Sequence, residues 1–281
     1  AGLRHALGIF AALFCHAAVA QPAKAEPQRV VSLNVCTDQL LLALADEGQI
    51  LALSPFAKSA SISYFANKAG AHDHVARGAE DVMLRQPDLV LAGTFTARET
   101  RERLAEQGIP VTTFAPVRSL NEARDAIRQT GALLGQEQRA ADWIARLDEA
   151  ITRASESRPD SPTRALFYQR RGFVSGTESL MTDIFAAVGL DNHAARYGRK
   201  RTGTVRLETI IADPPDLMVL SRLSSTPEDQ GLALTLHRAL VEAVPLERRL
   251  ALPERLTICG GPSLVEALDH LSEALGRRVS N

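Results

Sequence analysis

The residues with the most chemical capacity sit just beyond short apolar runs. Arg170 and Arg171 follow Ala165–Tyr168, Arg222 follows Leu217–Leu220, and Arg98 lies a few residues past Leu89–Ala92. A guanidinium is a planar fork that grips anionic oxygens in pairs. Arginines so placed suit an anionic chelate, or a macrocycle bearing propionates or phosphate, although any one of them could be ordinary solvated surface. Tyr64, Phe65, Phe95 and Phe173 lie in or beside the same loops, and Tyr197 closes the loop from Asn192. Aromatic faces of this kind can wall a flat or bulky ligand. Tyr168 reads instead as core. His72 and His74 flank Asp73 and could ligate a metal ion. Alternate residues on extended chain point opposite ways, so a solvated or hydrogen-bonding role for His72 is the better reading.

No catalytic signature accompanies them. The chain lacks G-x-G-x-x-G, G-x-x-x-x-G-K-[ST], G-x-S-x-G and H-E-x-x-H. Ser175-Gly176-Thr177 has no evident basic partner, and Gly260-Gly261 is a lone pair that fits a turn. No resident cofactor or metal is expected. Cys36 and Cys259 show no metal-type spacing. They could pair in an oxidising compartment or remain separate buried thiols, and the reading favours separate thiols.

These loops need a scaffold, and the pattern indicates one. Buried strands are expected at Arg29–Leu33, Ile50–Leu53, Leu89–Ala92, Val111–Phe114, Ala165–Tyr168, Leu217–Leu220 and Leu256–Cys259. Helices alternate with them, the first capped by Thr37. Such alternation implies parallel sheets covered by helices. Ser119-x-x-Glu122 and Ser263-x-x-Glu266 read as capping boxes that open helices. Residues 136–156 hold Ala140, Trp143, Ile144, Leu147 and Ile151 at helical spacing with no Gly or Pro, a rod of roughly 30 Å.

The halves echo one another. Glu80 opens a short helix, Pro87-Asp88 follows, and a buried strand comes next; Glu208, Pro215-Asp216 and another buried strand repeat the order. The expected organisation is a signal peptide over 1–20 and a flexible tether over 21–28. An N-terminal α/β lobe (29–135), a linking helix (136–156) and a C-terminal α/β lobe (157–281) follow, giving two Rossmann-like lobes. The leader rests on Arg4 and His5, the apolar run Ala6–Phe14 and the cleavage-like Ala18-Val19-Ala20. Of the 281 residues 45% are hydrophobic, enough for a sizeable core, and the net charge of -1 offers no footprint for nucleic acid.

Taken in order, RVVSLNVCTDQLLLALAD, EDVMLRQPDLVLAG, IPVTTF, the rod, IFAAVGLDNHA and LETIIADPPDLMVL resemble the substrate-binding proteins of ABC importers for iron–siderophore complexes, haem and cobalamin. The resemblance covers about residues 29–275. It implies a periplasmic, monomeric carrier whose ligand lies between two lobes, and an inner-membrane permease as partner. It also implies that Glu80 and Glu208 dock onto permease arginines, beyond any favourable effect on their own helix N-termini. The expected ligand is an iron–siderophore-type chelate, with cobalamin or haem as the alternative. Only 5% of residues are aromatic and the one Trp lies in the rod, a composition that tilts towards the chelate. A secreted α/β enzyme with an unrecognised site, or a ligand-carrying chaperone without a permease, are the readings from other classes.

Overall fold

The computed structural model describes residues 26–76, 78–96, 98–156, 158, 163–221 and 233–279. The expected leader, the tether up to residue 25 and Arg222 lie outside them.

The first lobe is built on four parallel strands, β1 Val30–Ser32, β2 Ile50–Ala52, β3 Leu89–Gly93 and β4 Val111–Phe114, in the order β2-β1-β3-β4. Helices α1 Val35–Leu44, α2 Ala66–Ala69, α3 Ala79–Leu84 and α4 Arg98–Glu106 connect them. Val30, Val31, Leu89, Val90 and Leu91 are all buried, as expected of central strands covered on both faces. Two longer helices follow, α5 Leu120–Leu134 and α6 Glu137–Glu156.

The second lobe contains β5 Thr163–Tyr168, β6 Phe173–Val174, α7 Leu180–Ala187, β7 Leu190–Asn192, β8 Gly203–Thr204, α8 Leu207–Ala212 and β9 Leu217–Leu220. It ends with α9 Arg238–Ala243, β10 Arg249–Ala251, α10 Glu254–Thr257 and α11 Leu264–Val279. Its sheet runs β10-β9-β5-β6-β8, with β7 beside the start of β5. The pairs of β6 are antiparallel.

The Pro-Asp echo has a structural purpose. Asp88 accepts hydrogen bonds from the Gln28 and Arg29 amides at 2.8 and 3.0 Å, fixing the entry to β1. Asp216 does the same for the Arg164 amide at 3.0 Å at the entry to β5, and its carboxylate also receives the Arg164 guanidinium. That guanidinium holds the Asp216 carboxyl down at about 2. Each carboxylate therefore sets the register of its own strand against a parallel neighbour.

Helix α6 belongs to both lobes. Ala140, Trp143 and Ile144 pack into the core around α1 and β3, whereas Leu147, Ala150, Ile151 and Ala154 pack into the core around β5, α7 and α11. Helix α5 is divided likewise: Leu120 and Ala123 in the second core, Ile127 and Leu134 in the first. The turn between these antiparallel helices is closed by Gly135, whose φ of 69° is the left-handed conformation that glycine adopts freely. Anchoring along its whole length makes this connection stiff: each fully buried Leu contributes about 2 kcal/mol.

Several expectations are corrected. Leu256–Cys259 is not a strand: Pro253 starts the helical turn α10, and the strand is β10. Asn34, not Thr37, caps α1, accepting from the Cys36 and Thr37 amides at 2.9 and 3.1 Å. Ser119 caps α5 by accepting from the Glu122 amide, but Ser263 faces Gln39 and donates to the Leu256 carbonyl. Residues 26–28, assigned to the tether, are fastened, with Pro27 accepting from the Gln49 side chain at 3.0 Å. Cys36 and Cys259 form a disulfide instead of separate thiols. The fold brings the first turn of α1 against the loop after α10, leaving their Cα atoms 5.2 Å apart.

Candidate functional site

A cleft of about 1230 Å³ lies between the lobes. Its walls come from the loops that leave the carboxyl ends of β1, β3, β4, β5 and β9, where open α/β sheets bind ligands.

On the first lobe, Asn34 ties two of these loops together. While its Oδ1 caps α1, its Nδ2 donates to Thr96 Oγ1 at 3.1 Å, and Thr96 Oγ1 also accepts from the Gly93 amide at 3.1 Å. The turn so formed raises Phe95 into the cleft, 87% exposed. A second chain of bonds sets Phe56, 42% exposed. Buried Asp38 accepts from the Ser54 amide at 2.9 Å and from the Ser54 hydroxyl at 2.5 Å, and Ser54 Oγ accepts from the Phe56 amide at 3.2 Å. Burial pushes the Asp38 carboxyl up to about 6, and its bonds to Ser54 oppose that rise.

On the second lobe, buried Asn192 donates to the Ser175 and Gly176 carbonyls, both at 3.2 Å, and to Thr182 Oγ1 at 2.9 Å. Gln169 donates to Ser175 Oγ at 3.2 Å. These bonds shape the wall formed by residues 175–181. Across the cleft the polar lining is chiefly hydroxyl and amide, such as Thr37, Gln39, Thr94, Gln169 and Thr202. Each lobe adds one exposed arginine, Arg118 and Arg201, and neither has an ion-pair partner among the described residues. Glu178 and Glu254 also line it. Among the described residues no group of three or more His, Cys, Asp and Glu could hold a metal ion.

Of the arginines, aromatics and histidine expected to hold a ligand, the structure brings Phe95 to the cleft, Arg222 lies outside the described residues, and the rest lie elsewhere. Arg98 points outward on α4, where it pairs with Glu102 at 2.7 Å. Arg170 and Arg171 form an exposed helical turn beyond β5, with Arg171 at φ 58°. Phe173 is partly exposed on β6 but off the cleft wall. Tyr64 packs against the second core, and Phe65 packs edge-on against Trp143 with ring centroids 6.3 Å apart. Tyr197 donates to the Asp213 carbonyl at 2.7 Å and packs edge-on against His193. The His72–His74 segment lies along the edge of β2, with the Leu53 amide donating to Asp73 at 2.8 Å. Glu80 and Glu208 stand exposed in the first turns of α3 and α8, beside Arg103 and Arg206 respectively.

Sequence reasoning missed Arg118, Arg201 and Asp38. Arg118 had a signal: the strand Val111–Phe114 is broken by Ala115-Pro116, and the loop beyond it follows the same strand-end rule. Arg201 sits in the connection from β7 to β8, just before β8, which the sequence pattern does not mark.

Two α/β lobes on a shared helix pair thus enclose a cleft lined for hydrogen bonding. The chain belongs to the Periplasmic binding protein family, which it matches over residues 30–256. It is 25% identical over 198 residues to a cobalamin-binding protein of Halobacterium salinarum (strain R1), a match covering 69% of this chain and 54% of that protein. The chain thus spans about half the length of the curated relatives it matches. Two solved structures share the fold. A periplasmic heme-binding protein from Roseiflexus sp. RS-1 in apo form superimposes with a TM-score of 0.73 at 24% identity, covering 89% of this chain and 98% of that one. An ABC-type Fe3+-hydroxamate transport system protein from Saccharomonospora viridis gives 0.70 at 20%, covering 89% and 94%.

Proposed function

We propose that this chain is the periplasmic carrier of an ABC importer, acting as a monomer. Its solute is a bulky metal complex whose own donors already fill the metal's coordination sphere, an iron–siderophore-type chelate. The observation that carries this reading is the composition of the cleft. Hydroxyls and amides from both lobes surround the exposed rings of Phe56 and Phe95, and Arg118 and Arg201 face in from opposite lobes. Such walls grip the periphery of a complex, the rings against its apolar faces and the guanidiniums against its anionic oxygens.

Cobalamin is the second reading. The curated relatives in question are cobalamin-binding proteins, and the hydroxyl and amide lining also suits the amide-bearing rim of a corrin. The charges in the cleft balance, Arg118 and Arg201 against Glu178 and Glu254, so a neutral solute is also accommodated.

In either case the chain delivers and does not transform its solute. Glu80 and Glu208 occupy matching positions on the two lobes and present one carboxylate each to the permease. Titrating the chain calorimetrically with ferric hydroxamate, catecholate and citrate chelates, cyanocobalamin and haemin tests the reading. Saturable one-to-one binding of a ferric chelate, recovered unchanged, supports it. Binding of cyanocobalamin alone replaces the chelate by the corrin. Binding of none, or conversion of the solute to a product, refutes the carrier.

A further inference from the structure

The lobes are fastened not only by α5 and α6 but also along a seam where α1 meets the segment from α10 into α11. The Cys36–Cys259 disulfide crosses this seam and closes a sequence separation of 223 residues. Both cysteines line the cleft. One turn along α1 from Cys36, Gln39 Oε1 accepts from the Ser263 amide and hydroxyl at 3.5 and 3.4 Å. Gly260 lies so close to Val117 that a Cβ would stand 2.3 Å from its side chain, and Gly261 similarly abuts Gln39. Farther along, Tyr64 packs against the second core.

Apart from the bridge, the hydrogen bonds across this seam are weak, and the remaining contact is the packing of Tyr64 and Val117 against the second core. Hydrogen bonds near 3.5 Å lie at the limit of useful geometry. The glycines give close contact but no side chain that interlocks. Without a covalent link, only these contacts resist parting of the seam while α5 and α6 stay packed in both cores. With it, residues 36 and 259 cannot separate.

We infer that the Cys36–Cys259 bridge is a redox-set stop on cleft opening. Oxidised, it pins one wall of the cleft, so the lobes can only swing about the pinned seam. Reduced, the same lobes part along the seam and the cleft opens wider. Reduction supplies two electrons and two protons, leaving one thiol on each lobe; a dithiol provides both and departs as its own disulfide. An oxidising compartment such as the one this family occupies keeps the stop in place. Because both sulfurs belong to the cleft wall, the device acts where the solute sits, yet it rests on the two-lobed fold and not on which solute binds.

The test is a distance measurement without any solute, so its failure is separable from failure of the proposed ligand. Full-length chain in a Cys15→Ser background carries spin labels attached through p-acetylphenylalanine at Glu99 on the first lobe and Lys200 on the second. Oxidised protein is expected to give a narrow distance distribution. Dithiothreitol-reduced protein and the Cys36→Ser/Cys259→Ser variant are expected to shift to longer, broader distributions with unchanged circular dichroism. Bridging the reduced thiols with dibromobimane is expected to restore the narrow one, a result that decides the matter even if the double variant does not fold. Superimposable oxidised and reduced distributions would overturn the inference. So would unfolding on reduction, since the bridge would then hold the fold together instead of limiting its motion.

Discussion

Gly260→Ala is the sharpest probe of how the lobes meet. The new Cβ would lie 2.3 Å from both Val117 Cβ and Cγ1. Unstrained carbon contacts begin near 3.5 Å, so the gap is short by about 1.2 Å. Gly260 is not among the positive-φ glycines, so alanine meets no backbone strain and stiffens the unfolded chain, a gain of about 0.4–1 kcal/mol. Overpacking costs about 1–3 kcal/mol. The expected net effect is a destabilisation of about 1–2 kcal/mol, read from urea denaturation with the disulfide intact. Val117→Gly removes the obstructing atoms, so the double variant should recover most of that loss as a coupling energy. Additivity of the two changes within about 0.5 kcal/mol, or a Gly260→Ala chain as stable as the parent, would refute the close-contact seam.

Asp38 predicts a pH dependence. Its folded pKa is raised from 3.8 to about 6, so its contribution to stability is complete below about pH 3.8 and is lost as the pH rises through about 6. The difference amounts to about 3 kcal/mol. Asp38→Asn should remove that loss from unfolding curves taken between about pH 4 and 7, and unchanged pH slopes would exclude it. For the docking carboxylates, Glu80→Ala with Glu208→Ala should abolish uptake in cells while solute affinity stays at the parental value. Normal uptake would assign the two residues to their own helices alone.

The architecture was legible because it is written in local patterns. Apolar runs separated by helical spacing mark β1, β3, β5 and β9, and the unbroken stripe from Ala140 to Ile151 marks α6. The Pro-Asp repeat is local too, and the structure shows its cause: each aspartate clamps the amide that begins a parallel strand. Non-local features were not legible. Nothing near Cys36 encodes a partner 223 residues away, because that pairing depends on how the lobes close. The antiparallel partners β6 and β8 are two residues each, too short for a period. The strand-end rule found the right end of each sheet but not which side chains turn inward. Arg98 is drawn outward by Glu102 one turn on, and Tyr197 is held by the Asp213 carbonyl. Phe95 was singled out as an aromatic just past β3, and the structure shows that the turn built by Asn34 and Thr96 carries it into the cleft.

The account depends on a solute that touches both lobes at once. Calorimetric titration of Phe95→Ala on the first lobe and Arg201→Ala on the second measures this directly, using whichever of the ferric chelates, cyanocobalamin or haemin binds the parent. Both side chains are exposed, so neither change should alter the melting temperature. Each variant is expected to keep one-to-one stoichiometry and lose about tenfold in affinity, equivalent to about 1.4 kcal/mol. Affinity unchanged in both, or weakened by the variant of one lobe alone, would contradict a ligand held between the two.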